Sequence, residues 1–295
     1  MKEICLIDTS WLLNRSHYAF RDFKDTNGEP IGALFGATNF IKTLINRNLP
    51  AVFCLDSKSE FRKQINENYK ANRESLNMWR LHDRLKELTR GIQGILFADS
   101  EGYEADDVIF SLAKEFSERD YKVYVYTTDN DMLQTLKFDN VYVAKKITQN
   151  EMELIDEDSE YYKKNYPVHP DRLALYRAFR GDSSDNLSPV VPRMPDKVIV
   201  PIVDILHERA DNPMNKNNGE QLLKSFTWTE SQMNWINKFL DNFDAFEKNY
   251  QIMKLNPVRF NIYSMAGDIR ETIELAQKEE LYQYSEFLNK WIGGM

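Results

Sequence analysis

The sequence predicts an α/β protein, with a mostly parallel sheet flanked by helices and a helical region after it. Through the first half of the 295 residues, short apolar runs of about the length of a buried strand alternate with helical patterns. This alternation is typical of parallel sheets. Beyond about residue 165 the patterns are mainly helical. We therefore expect an α/β domain over residues 1–165 and a helical region over residues 166–295.

Five apolar runs predict the strands of the sheet, at residues 4–7, 51–55, 94–97, 123–126 and 141–144. Apolar residues at helical spacing predict helices between the strands. One stripe consists of Leu34, Ala37, Ile41, Leu44 and Ile45, and another of Val108, Ile109, Leu112 and Phe116. Later helices are marked by Leu175, Phe179, Ile269, Ile273, Leu281, Leu288 and Trp291. The polar stretch 211–219 predicts a surface loop.

The composition excludes several classes of protein. Mean hydropathy is −0.58, and no apolar run approaches the ~20 residues of a membrane span. The N-terminus lacks the apolar stretch of a signal peptide, so we expect a cytoplasmic protein. Cys5 and Cys54 lie in apolar runs and are expected to be buried and reduced. The net charge of −8, from 38 basic and 46 acidic residues, argues at first sight against a nucleic-acid binder.

Acidic residues recur where the predicted strands end. They are Asp8, Asp56, Glu104, Asp106, Asp107, Asp129 and Asp131. Parallel strands end at one edge of a sheet, where ligands bind, so these side chains are expected to lie together. Any one of them also fits a turn or a helix cap, but so many like charges at one edge need a cation to offset them. Oxygen ligands without His or Cys favour Mg²⁺ or Mn²⁺.

A further acidic pair, Asp182 and Asp185, lies in the segment 181–186 (GDSSDN). The spacing places both carboxylates on one side of a helical turn. Alone, the segment is also typical of a loop or a cap. Combined with the acids of the sheet edge, the pair predicts ligands for a second ion. Two ions about 3.5 to 4 Å apart are the usual apparatus of phosphodiester cleavage, in which one activates water and the other stabilises the leaving oxygen.

The segment 58–90 is basic within an acidic chain, with nine Lys and Arg residues against five Asp and Glu. Phe61, Tyr69 and Trp79 are interleaved with these charges. Cations that meet phosphates and aromatic rings that stack on bases favour a nucleic-acid strand as the partner. A solvated helix of mixed charge is the alternative. The position directly after Asp56 favours the nucleic acid, because the segment then overhangs the acidic edge.

These motifs resemble those of the 5′-nuclease family, the flap endonucleases and 5′-to-3′ exonucleases that include phage enzymes and the 5′-nuclease domain of bacterial DNA polymerase I. The matching segments occur in the family's order over residues 4 to 190. They are Ile7-Asp8-Thr9-Ser10, Leu55-Asp56, Tyr69-Lys70-Ala71-Asn72-Arg73, Glu104-Ala105-Asp106-Asp107, Thr128-Asp129-Asn130-Asp131 and Gly181-Asp182-Ser183-Ser184-Asp185-Asn186. Six ordered motifs together are a specific signal.

The resemblance implies a PIN-like catalytic domain over residues 1–165, a helical arch over about 58–90 and a helix-three-turn-helix DNA-binding region within 166–295. It implies that Asp8, Asp56, Glu104 and Asp106 hold a first metal ion, with Asp107 beside them or behind them. It assigns Asp129, Asp131, Asp182 and Asp185 to a second ion. Lys70 and Arg73 match the family's catalytic basic residues, which grip the scissile phosphate. Arg62, Lys63 and Tyr69 are expected to join them in binding nucleic acid.

One segment departs from the family pattern. After GDSSDN the family usually has a glycine-rich hairpin that holds a duplex phosphate, often with a potassium ion. Residues 187–197 contain three prolines and no glycine instead. Proline lacks the amide donor that such a hairpin uses. We expect Arg193 and Lys197 to contact the duplex through their side chains.

The sequence therefore predicts a monomeric, Mg²⁺-dependent or Mn²⁺-dependent 5′-nuclease with two ions in its active site. The expected substrates are DNA flaps, nicks and free 5′ ends, with RNA–DNA hybrids and RNA primers as further candidates. Replication and repair in a bacterium or a phage-infected cell, with replication proteins as partners, fit this activity. Two alternatives stay open: a PIN-type single-strand ribonuclease and a catalytically inactive, structure-specific DNA-binding accessory protein.

Overall fold

The described part of the chain, in a computed structural model, comprises residues 1–58, 61–67, 69–70, 77–209 and 215–294. It contains a seven-stranded sheet in the order β6-β5-β4-β1-β2-β3-β7. The strands are β1 (Lys2–Asp8), β2 (Ala51–Cys54), β3 (Ile95–Asp99), β4 (Tyr121–Tyr126), β5 (Val141–Ile147), β6 (Met152–Ile155) and β7 (Asn261–Tyr263). The five strands predicted from apolar runs are confirmed.

The five central strands are parallel, and the two edge strands are antiparallel to their neighbours. Strand order reverses at β1, because β2 and β3 follow on one side of β1 whereas β4 and β5 follow on the other. Ligands of parallel sheets bind outside the carboxyl ends of the strands at such a reversal. The predicted fold class is confirmed, and the reversal lies beside Asp8.

Helices cover both faces of the sheet. They are α1 (Thr9–Ala19), α2 (Gly32–Asn46), α3 (Phe61–Ile65), α4 (Met78–Glu87), α5 (Ala105–Glu118), α6 (Glu160–Asn165), α7 (Leu173–Arg180), α8 (Asp196–Arg209), α9 (Lys216–Lys224), α10 (Glu230–Asp241), α11 (Phe243–Met253), α12 (Ile269–Lys278) and α13 (Tyr282–Gly293). Short 3₁₀ helices lie at Asn130–Lys137, Pro170–Arg172 and Ser183–Asp185. Among the described helices, none has the length and apolar character to cross a membrane.

Alternate residues of the strands enter two separate cores. Ile4 and Leu6 of β1 pack in the core that also contains α5, α7, α8, α10 and α11, whereas Cys5 and Ile7 pack in the core that contains α1, α2, α4, α12 and α13. A strand that is buried on both faces has this continuous apolar pattern. Cys5 and Cys54 are buried free thiols, as expected.

The predicted loop at 211–219 is wrong in its second half, where α9 begins at Lys216. The Asn215 side chain accepts a hydrogen bond of 3.1 Å from the backbone N–H of Asn218 and so caps the helix. A Cβ added at Gly219 would lie 3.5 Å from the Leu206 side chain and 3.7 Å from that of Phe243, so the helix packs close to both residues. Tertiary packing thus stabilises a helix whose polar composition is typical of a loop. Residues 210–214 lie outside the described part of the chain.

The last forty residues return to the sheet, which the sequence patterns did not indicate. β7 pairs with β3, and Tyr284 of α13 donates a 2.8 Å hydrogen bond to the carbonyl of Leu88 just after α4. β7 is three residues long and largely exposed, so no apolar run marks it. The division at residue 165 stays a prediction, and the C-terminal segment contacts elements on both sides of it.

Candidate active site

Carboxylates from the ends of successive strands meet at the carboxyl edge of the sheet. We call Asp8, Asp56, Asp106 and Asp129 the rim group. Asp8 ends β1, and its Oδ1 accepts a 2.9 Å hydrogen bond from the backbone N–H of Trp11. Asp56 Oδ1 accepts one of 2.9 Å from Ala105 N–H at the start of α5. Asp129 Oδ1 accepts one of 2.8 Å from Asp131 N–H.

These hydrogen bonds show that the capping role and a ligand role are compatible. Each cap uses one carboxylate oxygen, and a carboxylate has two. The second oxygen of Asp8, Oδ2, lies 3.5 Å from the hydroxyl of Thr127 at the end of β4. The N-termini of α1 and α5, beside Asp8 and Asp56, add positive dipole ends at this edge of the sheet. Local capping therefore still leaves each capped carboxylate a second oxygen.

Burial and mutual repulsion perturb the ionisation of the rim group. Burial, followed by the charges of Asp56 and Asp129, raises the pKa of Asp8 to about 7. Burial, Asp129 and Asp8 raise the pKa of Asp106 well above its usual value. Each carboxylate thus experiences the field of the others, which places them in one electrostatic unit. A cation at this site would favour the ionised forms.

We call Asp131, Asp182 and Asp185 the junction group, because they lie where the sheet meets α7. Asp131 follows β4, and burial is the main cause that raises its pKa to about 7. Asp182 and Leu187 exchange two backbone hydrogen bonds of 2.8 Å that close the GDSSDN turn. Gly181 has φ +69, and a Cβ there would lie 2.5 Å from the carbonyl oxygen of Leu187, so this turn requires glycine.

Lys70 reaches the rim from the segment that follows α3. Its Nζ donates a 3.0 Å hydrogen bond to Glu104 Oε2, and the hydroxyl of Tyr69 donates one of 3.1 Å to the same oxygen. Burial alone would lower the pKa of Lys70, but the charges of Glu104, Asp106 and Asp185 outweigh it, and the pKa lies well above its usual value. Lys70 is therefore a fixed positive charge beside the rim group.

Arg62 corrects a prediction, because it lies in the interior and cannot contact nucleic acid from there. It is 2% exposed. Its guanidinium forms a bidentate pair with Asp107 at 2.7 and 3.1 Å and donates bonds of 3.1 Å to Glu104 and 2.9 Å to the carbonyl of Ile252. All of these contacts are internal. Arg62 instead anchors α3 to the start of α5 and the end of α11.

Asp107 and Tyr69 are also engaged in internal contacts: Asp107 lies behind the rim, and Tyr69 differs from its prediction. Asp107 is fully buried, and besides Arg62 it accepts a 2.9 Å hydrogen bond from the backbone N–H of Asn256. Its oxygens are therefore committed to the protein, and Asp107 serves as the counter-ion of Arg62. Tyr69 is 6% exposed and packs with Leu187 in a small core, so its ring is not a stacking surface for a base.

Three of the remaining predicted cations lie at the surface. Lys63, Arg193 and Lys197 are exposed. Arg73 lies outside the described residues, as do its neighbours in the segment 71–76. The exposed cations leave a phosphate-binding role open, because no ion pair is seen for them within the described residues, in contrast to the pair of Arg62 with Asp107.

Two residues near the site were missed by sequence reasoning. Arg177 of α7 is 7% exposed and joins Asp131 to Asp182, with its Nε 3.1 Å from Asp131 and its Nη2 2.6 Å from Asp182. Buried His82 of α4 shares a 3.1 Å hydrogen bond with Ser10, two residues after Asp8. A basic residue five positions before Asp182 was the available signal for Arg177. No comparable pattern marks His82.

The carboxylates lie at one edge of the sheet but do not surround a common point. Within the described ranges, no group of three or more acidic, His or Cys side chains is arranged to hold a metal ion. Protein cations contact several of the predicted ligands instead: Lys70 and Arg62 contact Glu104, and Arg177 contacts Asp131 and Asp182. Lys70, Arg62 and Arg177 thus balance part of the negative charge of these carboxylates.

The fold and the site together define a nuclease of the PIN-like class, with a parallel sheet that carries carboxylates at its reversal point beside a lysine. A model of the 5′-3′ exonuclease N-terminal resolvase-like domain matches residues 3–166. This match covers more than half of the chain, and the chain belongs to that family. It is a 5′-nuclease, as predicted.

Similar proteins support this assignment. The 5′-3′ exonuclease of Buchnera aphidicola subsp. Schizaphis graminum is 28% identical over 296 residues, which cover 97% of this chain and 98% of that protein. The thermostable DNA polymerase I of Thermus aquaticus is 33% identical over 188 residues, which cover 62% of this chain and 22% of the polymerase. The chain thus spans the whole of one relative and about a fifth of the other.

Solved structures with the same fold include the T5 D15 protein co-crystallised with metal ions. It has a TM-score of 0.57 at 14% identity and covers 98% of this chain and 99% of its own. Human GEN1 in complex with Holliday junction DNA has a TM-score of 0.62 at 15% identity and covers 97% of this chain and 71% of its own. At this identity the likeness concerns the fold.

Proposed function

We propose that the protein hydrolyses DNA phosphodiesters near 5′ ends and at junctions of single-stranded and duplex DNA, with two Mg²⁺ ions held by the rim and junction groups. The observation that carries this proposal is the rim group itself: four carboxylates at the reversal point of a parallel sheet, where burial and the charges of neighbouring carboxylates raise the pKa of Asp8 and of Asp106. Such an arrangement is stabilised by a cation.

The donor set fits a hard divalent ion. All seven side chains of the two groups supply carboxylate oxygen, the ligand that Mg²⁺ and Mn²⁺ prefer over nitrogen and sulfur. His82, the nearest histidine, is bonded to Ser10, and burial lowers its pKa. Bound divalent ions would activate a water molecule and stabilise the leaving oxygen. Asp8, Asp56, Asp106 and Asp129 would hold one ion, with Glu104 beside them, and the junction group would share Asp129 to hold the other.

Lys70 supplies positive charge at a fixed position next to the rim. Its contact with Glu104 keeps the ammonium at the edge where a scissile phosphate would lie. When a phosphate arrives, its oxygens can take over the ammonium from Glu104, which retains its hydrogen bonds from Arg62 and Tyr69 but has less of its charge balanced. Lys70 would then stabilise the charge that develops on the phosphate in the transition state. We assign the same function to Arg73.

Structures of related fold support DNA as the substrate, because T5 D15 flap endonuclease, human GEN1 and Rad2 are described in complexes with DNA. The exposed Lys63 would contact the strand near the 5′ end, and Arg193 and Lys197 would contact the duplex. A 5′ flap, a nick and a free 5′ end are the DNA substrates that we propose. RNA–DNA hybrids and replication proteins are further proposed partners.

The test is cleavage of a 5′-labelled flap substrate by the full chain with Mg²⁺, with Mn²⁺ and with chelator. We expect cleavage with either ion and none with chelator. Asp56→Asn is expected to abolish it and Asp131→Asn to lower it by a smaller factor, and Lys70→Ala is expected to slow single-turnover cleavage while DNA binding is largely kept. Asp158→Asn is the matched control, because Asp158 is an exposed acid away from the rim.

Four outcomes would contradict parts of the proposal. Full activity of both Asp→Asn variants would exclude the assigned ligands. An unchanged single-turnover rate for Lys70→Ala would exclude the role of that lysine. Cleavage of single-stranded RNA in preference to flapped DNA would favour a ribonuclease, and absence of metal-dependent cleavage on flapped, nicked and hybrid substrates would favour a binding protein.

A further inference from the structure

Arg177 is a buried cation placed between two of the proposed metal ligands. It lies on α7, and its guanidinium contacts Asp131, from the end of the sheet, and Asp182, from the turn after α7. The side chain of Arg177 is 9% exposed and those of the two aspartates are 13% and 23% exposed. One positive charge thus joins the two segments that supply the junction group.

In the described part of the chain, Arg177 forms fewer well-aligned hydrogen bonds with its acidic partners than Arg62 does. Arg62 binds Asp107 through two nitrogens, and Asp107 also accepts the N–H of Asn256. Asp131 Oδ1, in contrast, is buried and accepts no hydrogen bond of regular geometry from the described residues, although Arg177 Nε lies 3.1 Å away. A buried carboxylate oxygen with an incompletely aligned cation retains capacity for another ligand.

We infer that Arg177 is an internal competitor of the second metal ion: it neutralises Asp131 and Asp182 in the metal-free enzyme and has to release at least one of them before an ion binds the junction group. This competition depends on the proposed function, because it takes both aspartates as ligands. Arg177 is accordingly a positioning residue, which preserves the geometry of the junction group before loading and weakens its affinity for divalent ions.

The consequence is a difference between the two groups. Within the described residues no ion pair joins a buried arginine to the rim group, although the charge of Arg177 also acts on Asp129, and repulsion among the rim carboxylates favours any cation that arrives. The junction group must exchange one cation for another. The first ion is therefore expected to bind more tightly, and the second only at higher concentration of the metal.

The test is calorimetric titration of the metal-free full chain with Mn²⁺, without DNA. Arg177→Gln is expected to tighten the weaker binding step by about tenfold or more, because a full positive charge beside the ion has been removed. Arg177→Lys, which retains the charge, is expected to stay within about threefold of wild type. The matched control is Arg180→Gln, one turn further along α7, where the arginine contacts Asp196 instead; it should leave both steps unchanged.

Asp182→Asn separates failure of this inference from failure of the proposed function. If Asp182→Asn removes the weaker step and a folded Arg177→Gln leaves it unchanged, Arg177 has only a structural role and the inference is overturned. If Asp182→Asn leaves both steps unchanged, the ligand assignment fails as well.

A second measurement needs no variant at the arginine. With ¹⁵N-labelled arginine in the wild-type chain, the Nε–H resonance of Arg177 is expected to shift at the metal concentration of the weaker step. A resonance that stays fixed through both steps would overturn the competition, even if Arg177→Gln does not fold.

Discussion

The rim group and the junction group both gather buried carboxylates at one edge of the sheet, but different charges balance them. Backbone N–H groups and the nearby Lys70 face the rim, where repulsion dominates the pKa of Asp106 after burial. A buried arginine lies within the junction group, and it lowers the pKa of Asp131 against the effect of burial. The two groups are similarly rich in acidic residues, but the negative charge of the two proposed cation sites is balanced by different partners.

The difference follows from the elements that carry each group. The rim acids come from consecutive strand ends, where helix N-termini supply partial positive charge and no cationic side chain is required. The junction acids belong to two segments distant in sequence, and Arg177 joins them. Loss of a rim acid should therefore lower catalysis and relieve repulsion in the metal-free chain, whereas loss of a junction acid should lower catalysis and remove a partner of Arg177.

The largest expected effect is on the chemical step. Asp106→Asn is expected to lower single-turnover cleavage of a 5′ flap by about 10³-fold or more, because a ligand beside both Asp8 and Lys70 loses its charge. Asp185→Asn, at the less exposed end of the junction group, is expected to cost about 10-fold to 100-fold at saturating Mg²⁺. Equal losses in quench-flow measurements would remove the proposed difference between the two groups.

Arg62 and Arg177 provide the next comparison, in stability. Arg62→Ala leaves Asp107 buried without its partner, and a broken pair of this kind costs about 3 to 5 kcal/mol of unfolding free energy. Arg177→Gln is expected to cost less, because the partners Asp131 and Asp182 are closer to solvent. Urea unfolding with chelator present measures both changes.

Lys63→Ala is the control for Arg62, since Lys63 is adjacent in α3 and exposed. It should change stability by less than about 0.5 kcal/mol. A loss for Arg62→Ala no larger than that of Lys63→Ala would show that the buried pair contributes no net stability, and the anchoring of α3 would then need another cause.

These comparisons also show how far the sequence reaches. The five central strands and the acids at their ends are visible in the sequence, because a buried strand needs an apolar run and its end is a fixed position. The partners of the charges are not visible. Arg62 and Lys63 are adjacent and both basic, but one is buried against Asp107 and the other is exposed. The contact between β7 and β3 is equally invisible, since 162 residues or more separate the paired positions.

The charge balance of the whole chain takes a different meaning in the structure. Nine acidic residues belonged to the predicted site, and without them the remaining acids and bases of the chain nearly cancel. Asp107 leaves that set, because Arg62 neutralises it internally. The acidic net charge therefore reflects a local concentration of carboxylates at the sheet edge and does not argue against a nucleic-acid partner.

A smaller effect, on the free energy of unfolding, is expected for Asp8 and depends on pH. Its pKa is about 7 in the folded, metal-free chain and near 4 when unfolded. The folded state therefore binds the proton more tightly, and this contribution to stability is full below about pH 4 and is lost as pH rises through about 7. Asp8→Asn, which retains the helix cap, should be more stable than wild type above pH 7 by about 2 to 4 kcal/mol.

The measurement is the difference in unfolding free energy between the Asp8→Asn variant and wild type from pH 5 to 8, with chelator present. The difference should grow with pH. Saturating Mg²⁺ should reverse its sign, because wild type then gains a bound ion that the variant holds less tightly. A difference that is independent of pH would show that Asp8 is ionised throughout this range.

The smallest expected effects concern two exposed cations, Lys63 in α3 and Arg193 just before α8. Lys63→Ala and Arg193→Ala should each weaken binding of flapped DNA by about 2-fold to 5-fold in Ca²⁺ and reduce the salt dependence by about one phosphate contact. The two losses should separate when the DNA is divided. Lys63→Ala should weaken binding of the single strand more, and Arg193→Ala that of a blunt duplex. Equal losses on both ligands would indicate nonspecific attraction. Loss of duplex affinity in Arg193→Ala alone would indicate that a side chain binds the duplex at the position where the resemblance implies a glycine-rich hairpin.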